Sequence, residues 1–192
     1  RKGNMNGRDH RVKIGLLGLD FATEGPIKRG RSSYLVNYRY STLSILNRMG
    51  FNLVGERVDN DFTDLSFNLA FDGKDEKSFT TVFGMAGWSL EHYRPIPEVV
   101  ERGLGDDFRS NEWEDRRQGS NMVTVGMTHK RNLDERSYLK VSAALTGSFI
   151  FRNYDVLDTL NQASKYRDEE HVDRRGIVSL TYNRRLSPRT KL

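Results

Sequence analysis

The sequence predicts an all-β chain: an antiparallel up-and-down meander of about seven strands, forming part of a transmembrane β-barrel. Three observations lead there. From Leu139 to Phe151 the odd positions are Leu139, Val141, Ala143, Leu145, Gly147, Phe149 and Phe151, with Lys140, Ser142, Thr146 and Ser148 between them. Successive strand side chains point to opposite faces, so one face is apolar along the whole run. A half-buried strand of a soluble sheet alternates too, but similar runs recur here at about ten residues or more. That length suits a tilted spanning strand, whereas soluble strands average about 5–6. The connections also alternate short and long, as in a barrel with tight turns at one end and long loops at the other.

In chain order, a first strand is expected over Val12–Thr23, with Leu17, Leu19 and Phe21 on one face and Ile14 and Leu16 on the other. Apolar residues on both faces leave its register open. Gly25-Pro26 should end it, and Lys28-Arg29-Gly30-Arg31 should form a short basic turn. A second strand spans Ser32–Thr42, where Tyr34, Val36, Tyr38 and Tyr40 alternate with Ser33, Leu35, Asn37, Arg39 and Ser41. Leu43–Met49 reads as a helical turn or two ended by Gly50, within a long connection to Asn60.

The third strand, Phe62–Phe71, sets Leu65, Phe67, Leu69 and Phe71 opposite Asp64, Ser66 and Asn68. Asp72-Gly73-Lys74-Asp75 is a turn signal. A fourth strand, Ser78–Trp88, has faces that hydrophobicity does not rank: Phe79, Thr81, Phe83, Met85 against Thr80, Val82, Gly84, Ala86, Trp88. A long loop is expected over Leu90–Gly119, with a short helix over Pro97–Arg102. The fifth strand, Asn121–Arg131, alternates Val123, Val125 and Met127 with Thr124, Gly126 and Thr128. Asn132-Leu133-Asp134-Glu135 turns it into the Leu139–Phe151 strand. A second charged loop, Asn153–Asp173, precedes a seventh strand with Val178, Leu180 and Tyr182 on one side. Tyr34, Phe71, Trp88, Phe149, Phe151 and Tyr182 are placed to form interfacial girdles.

Hydrophobic residues make up 36% of the 192 residues and charged residues 30%. No apolar run approaches the roughly 20 residues of a membrane helix, which leaves a barrel open because its strands are apolar on one face only. With 8 Tyr and 10 Phe spread along it, the chain has too many aromatics for a disordered one. The net charge of +5 is scattered, Arg116-Arg117 and Arg184-Arg185 being only pairs, so nucleic acid is not an expected partner. Zero cysteines exclude disulfides, thiolate metal sites and a cysteine nucleophile.

No enzyme is expected, since no Gly-x-Ser-x-Gly elbow supplies a hydrolase nucleophile. No cofactor or metal is expected either. His92 and His171 lack paired-ligand spacing. Asp106, Asp107, Glu112, Glu114 and Asp115 lack the central Gly and ligand spacing of a calcium loop. Gly15, Gly18 and Gly25 do not open a helix as a phosphate cradle would. The residues expected to face a lumen are Asn37, Arg39, Asp64 and Asn68, either lining a ligand path or keeping the wall hydrated. Tyr93, Trp113 and Tyr154, in the two long loops, are the candidate ligand contacts, because exposed loops on a rigid scaffold carry specificity.

Gly18-Leu19-Asp20-Phe21-Ala22-Thr23-Glu24-Gly25-Pro26-Ile27-Lys28-Arg29-Gly30, continuing into Ser32-Ser33-Tyr34-Leu35-Val36-Asn37-Tyr38-Arg39-Tyr40-Ser41-Thr42-Leu43, resembles a barrel hairpin of TonB-dependent outer-membrane receptors. The nearest likeness is to the group with a carboxypeptidase-regulatory-like domain before the plug. Phe62-Thr63-Asp64-Leu65-Ser66-Phe67 and Tyr182-Asn183-Arg184-Arg185-Leu186-Ser187-Pro188-Arg189 fit the same family. The resemblance implies a Gram-negative outer membrane and import of a scarce nutrient, such as a siderophore, vitamin, glycan or peptide. It also implies a barrel of about 22 strands, an N-terminal plug, and a TonB box coupling the plug to an inner-membrane complex.

Neither plug nor box is recognisable here. Arg1 reads as mid-chain, and Pro188–Leu192 as the turn into a further strand. A fragment of the barrel wall is therefore expected. Its partners would be outer-membrane lipid, the plug and remaining strands of the receptor, and the TonB complex through the absent part. Two alternatives stand beside this: a soluble β-sandwich binding module, and a complete small outer-membrane barrel with a structural or adhesive role.

Overall fold

The computed structural model describes residues 2–16, 18–41, 43–51, 57–95, 114–157, 160, 162–187 and 190–191. They form one antiparallel sheet in which every strand pairs with its chain neighbours. In order these are β1 (Asp9–Gly15), β2 (Gly18–Lys28), β3 (Ser32–Ser41), β4 (Val58–Asp72), β5 (Ser78–Tyr93), β6 (Glu114–Asn132), β7 (Ser137–Leu157), β8 (Ala163–Ser187) and the short β9 (Thr190–Lys191), with α1 (Leu43–Arg48) between β3 and β4. The meander is as expected. The sheet is open, with β1 and β9 as its edges, and no second layer covers it among the described residues. Leu43 and Ala70 are the buried apolar side chains among the described residues.

Eight long strands replace the expected seven, because the first is two. Val12–Thr23 is broken at residues 16–17, and Gly15 pairs with Gly18 to close a hairpin. Within it Ile14 faces Leu19 and Val12 faces Phe21. Ile14, Leu19 and Phe21, which seemed to occupy both faces of one strand, thus share one face of two, while Leu17 lies outside the described residues. Gly25-Pro26 does not end β2, which runs to Lys28 through an irregularity in register between Pro26 and Lys28.

The two expected loops shrink. Leu90–Tyr93 and Glu114–Gly119 belong to β5 and β6, while the Pro97–Arg102 helix and Trp113 lie outside the described residues. Asn153–Leu157 and Ala163–Asp173 belong to β7 and β8, which leaves residues 158–162 as the connection. Charge did not predict loop because an antiparallel ladder pairs its backbone whatever the side chains are. Across this ladder Arg152 also reaches Glu169 at 3.8 Å, and such opposite charges support pairing. The alternation of connections therefore holds at one end only, where residues 29–31, 73–77 and 133–136 make short turns and β8 and β9 are separated by two residues. The other end has long connections at 42–57 and 94–113 and short ones at 16–17 and 158–162.

Two short turns are tied by aspartates. Asp75 accepts from the Ser78 hydroxyl at 3.0 Å and the Lys77 N–H at 3.2 Å. Asp134 accepts from the Ser137 hydroxyl and the Arg136 N–H, both at 2.7 Å. The Ser78 hydroxyl holds the Asp75 carboxyl below its ordinary value, and the Ser137 hydroxyl does the same for Asp134. A carboxyl whose folded pKa is depressed stabilises the fold above the unfolded value of about 3.9, and that contribution is lost as pH falls through the folded pKa. NMR titration should therefore give both aspartates midpoints below that of a free aspartate. A midpoint at or above the free value would mean the turns are not held this way.

Candidate functional site

Register assigns every side chain to one of two faces. One row runs from His10 through Thr23, Val36, Phe67, Gly84, Val125 and Leu145 to Gly176. The face it defines also carries Val12, Ile14, Leu19, Phe21, Tyr38, Leu65, Val82, Ala86, Val123, Met127, Val141, Val178 and Leu180. The structure thereby settles the face of β5: Thr80, Val82, Gly84, Ala86 and Trp88 join the apolar side. All six expected girdle aromatics lie on this face. Tyr34, Phe71 and Tyr182 sit toward the short turns, and Trp88, Phe149 and Phe151 toward the other end. Leu145 is 66% exposed and Val178 81% exposed, so the face is bare. Phe67 and Phe151 lie over their cross-strand partners Gly84 and Gly119, leaving no room for a methyl group at either glycine.

The apolar margin is not level with the register. Toward the short turns it ends at Phe21 on β2, Tyr34 on β3, Phe71 on β4, Leu139 on β7 and Tyr182 on β8. Phe21 is the partner of Tyr38, Tyr34 of Leu69, and Leu139 of Arg131. β5 and β6 interrupt the trend: the partner of Phe71 is Thr80, and their apolar residues end one same-face position back, at the partners Val82 and Met127. The steps are uneven, and only on average from β2 to β8 does the margin descend by roughly one residue per strand. Strands about 4.8 Å apart with a rise of about 3.3 Å, tilted about 40°, would cross a horizontal plane about 1.2 residues further on at each neighbour.

The opposite face is more polar, although Met85, Met122, Ile150 and Ile177 are exposed on it, and it receives all four residues expected in a lumen. Arg39 pairs with Asp64, Asn37 with Ser66, and Leu35 with Asn68. The Asn37 amide donates to the Ser66 hydroxyl at 3.3 Å, and Arg39 Nε donates to Asp20 at 2.8 Å. Lys13, Asp20, Arg39 and Asp64 are successive partners, giving a row of alternating charge across four strands. A groove of about 420 Å³ opens along it. Three of the four are exposed, and Asn68 is half-buried.

Tyr93 and Tyr154 lie in strands rather than loops, and Arg116 joins them. Tyr93, Arg116, Tyr154 and Arg167 are successive partners on the polar face. The Arg116 guanidinium is 5.3 Å from the Tyr93 ring centre and 4.7 Å from that of Tyr154, and Arg167 covers the Tyr154 ring at 5.8 Å. Cation–π contacts of this kind are favourable even when partly exposed. Tyr93 donates its hydroxyl to Glu91 at 2.9 Å, which holds its proton above the ordinary phenol range. Tyr154 donates to Gln118 at 3.3 Å, and Gln118 donates to Glu91. The arrangement offers half-covered aromatic rings beside amide and charged groups, a surface that suits a polar ligand. Sequence reading missed Arg116, Gln118, Glu91 and Arg167 because it ended the strands too early. The period-2 pattern Glu91/Tyr93, Arg116/Gln118, Arg152/Tyr154 was the available signal.

His92 falls on the apolar side of the sheet, beyond the aromatics, where its Nε2 lies 2.8 Å from Asp115 and 3.4 Å from Arg117 Nε. His171 is on the polar face of β8. Among the described residues no three His, Asp or Glu side chains converge to hold a metal. Asp106, Asp107 and Glu112 lie outside them. Comparison with protein-family models, curated proteins and solved structures finds no match to this chain.

Proposed function

We propose that this chain is part of the wall of a transmembrane β-barrel in a Gram-negative outer membrane, within a TonB-dependent receptor that imports a scarce nutrient. The observation that carries the membrane reading is a single-layered sheet whose apolar face is bare over all eight long strands. In water such a face drives association or aggregation; in a bilayer it meets hydrocarbon. The diagonal margin supports the same reading, because tilted spanning strands need it and a water-soluble sheet does not. On β7 the apolar side from Leu139 to Phe151 covers roughly 40 Å of strand, or about 30 Å of height at a tilt of about 40°.

The open edges at β1 and β9 favour a sheet that continues into further strands, since unpaired backbone groups are costly in lipid. A sandwich would require a second sheet facing the first, and a complete small barrel would require its first and last strands to pair. The assignment to TonB-dependent receptors and nutrient import rests on the sequence resemblance alone, which is specific mainly in the Glu24–Leu43 region. In that reading the polar face lines the lumen, and the Tyr93–Arg116–Tyr154 ladder stands on the ligand's path at the long-loop end.

The absence of cysteine permits a direct test with single labels. In vesicles, Leu145→Cys and Val123→Cys should resist a water-soluble maleimide, and fluorophores there should respond to lipid-borne quenchers. Thr146→Cys and Thr124→Cys, one residue along, should not report lipid. Equal aqueous labelling of both pairs would rule out the membrane orientation.

A further inference from the structure

The short-turn end of the polar face carries positive charge that the fold does not neutralise. Lys130 and Lys140 are direct partners across β6 and β7, with Phe79 and Thr181 beyond them in the same row. Like charges directly opposite one another destabilise a sheet. Lys130 turns its ammonium onto the Tyr138 ring at 4.3 Å, and Lys2 sits over Phe79 at 3.7 Å. A groove of about 530 Å³ opens beside this pair, lined by Lys130 and not by Lys140, and bordered also by Arg31, Lys74 and Lys77. Its wall holds two acids, Asp72 and Glu76, and Asp72 is already paired with Lys2 at 3.2 Å. Among the described residues, Arg31, Lys74, Lys77, Lys130 and Lys140 have no carboxylate within 4.0 Å. Of residues 2–7 Lys2 lines this groove, and the segment that follows it is tied to the sheet elsewhere: the Met5 carbonyl accepts from Gly30 N–H at 3.1 Å, and the Asn4 N–H donates to Glu24 at 2.9 Å.

We propose that this groove docks an extended acidic peptide segment, with carboxylates bridging Lys130 and Lys140 and reaching toward Lys74 and Lys77. The proposal does not depend on the membrane reading, since it uses only the polar face. The bare cations span several strands at about 4.8 Å each, further than one phosphate bridges, whereas alternate side chains of an extended peptide repeat at about 7 Å. A single-stranded nucleic acid would need open ring faces for its bases, and here Phe79 and Tyr138 are already capped by lysines. An anion placed between Lys130 and Lys140 also removes the repulsion built into that pair.

The test titrates a short, fluorescent Glu- and Asp-rich peptide onto the full chain at low and high salt, in the medium in which the chain folds. Saturable one-to-one binding that weakens at high salt is expected. The Lys130→Gln/Lys140→Gln pair should weaken it about fivefold or more, and Lys74→Gln/Lys77→Gln, outside the strand ladder, should weaken it too. Lys165→Gln, at the far end of β8, should leave it unchanged. Three results would overturn the proposal: no saturable binding, an equal loss with Lys165→Gln, or tighter binding of inorganic phosphate or an oligonucleotide than of the peptide.

Discussion

Arginine in place of Leu145 is expected to lower stability by about 2–4 kcal/mol when the chain is folded in a bilayer. Leu145 is 66% exposed at the middle of the apolar side of β7, between its partners Val125 and Gly176. A guanidinium there must be taken into hydrocarbon or drag water inward, and the cost falls to about 0–1 kcal/mol near the interface. Val141 lies two same-face positions nearer the short turns, so Val141→Arg should cost less than Leu145→Arg. Thr146→Arg, on the polar face, should be nearly neutral. Chemical denaturation in vesicles measures all three. A neutral Leu145→Arg, or equal penalties at Leu145 and Thr146, would sink the two-sided wall. β8 already contains a natural comparison: Arg174 is on the apolar face opposite Gly147. A margin that followed the register would put it inside the apolar band. Between β7 and β8 the margin does follow the register, Leu139 and Tyr182 being partners, so Arg174 lies beside Gly147 within the apolar run of β7, with Val172 beyond it on the same face.

Valine at Gly126 is expected to destabilise the sheet by about 1–3 kcal/mol, the usual cost of overpacking. Gly126 is buried, and Phe83, its partner on β5, lies over it. A Cβ there would meet the Phe83 ring at 2.5 Å, the Ala143 carbonyl oxygen at 2.9 Å and the Ala144 Cβ at 3.0 Å. The ring can swing aside, but the carbonyl belongs to the β6–β7 ladder and cannot. A Phe83→Ala background should therefore recover part of the loss and not all of it, which a double-mutant cycle resolves. Full recovery would mean that the backbone contact is unimportant. No loss in the single variant would mean that the two strands do not approach as described. Because this site is on the polar face, the result holds whatever solvent the apolar face meets.

Much of the fold was legible because strand periodicity is a local property. The face of β7, the turns around Asp75 and Asp134, and the helical turn after Leu43 each follow from a few adjacent residues. Gly50 after that turn has φ 88, as a helix stop requires. That Asn37, Arg39, Asp64 and Asn68 share the face opposite the apolar one was legible for the same reason, since each alternates with apolar neighbours. The Tyr93–Arg116–Tyr154 ladder was not, because its members are far apart in sequence and meet only through pairing across β5, β6 and β7.

By itself, then, the sequence determined an all-β meander with one apolar face, where most strands turn, and which residues point away from that face. Each of these is fixed by the alternation of neighbouring side chains. Tertiary structure alone decided that β1 and β2 are separate strands and which face of β5 is apolar. It also decided how far β7 and β8 extend past the apolar band and which distant charges and rings become neighbours. Those features depend on register, and register is set by the partner strand, whose hydrogen bonds and side chains a single segment does not contain.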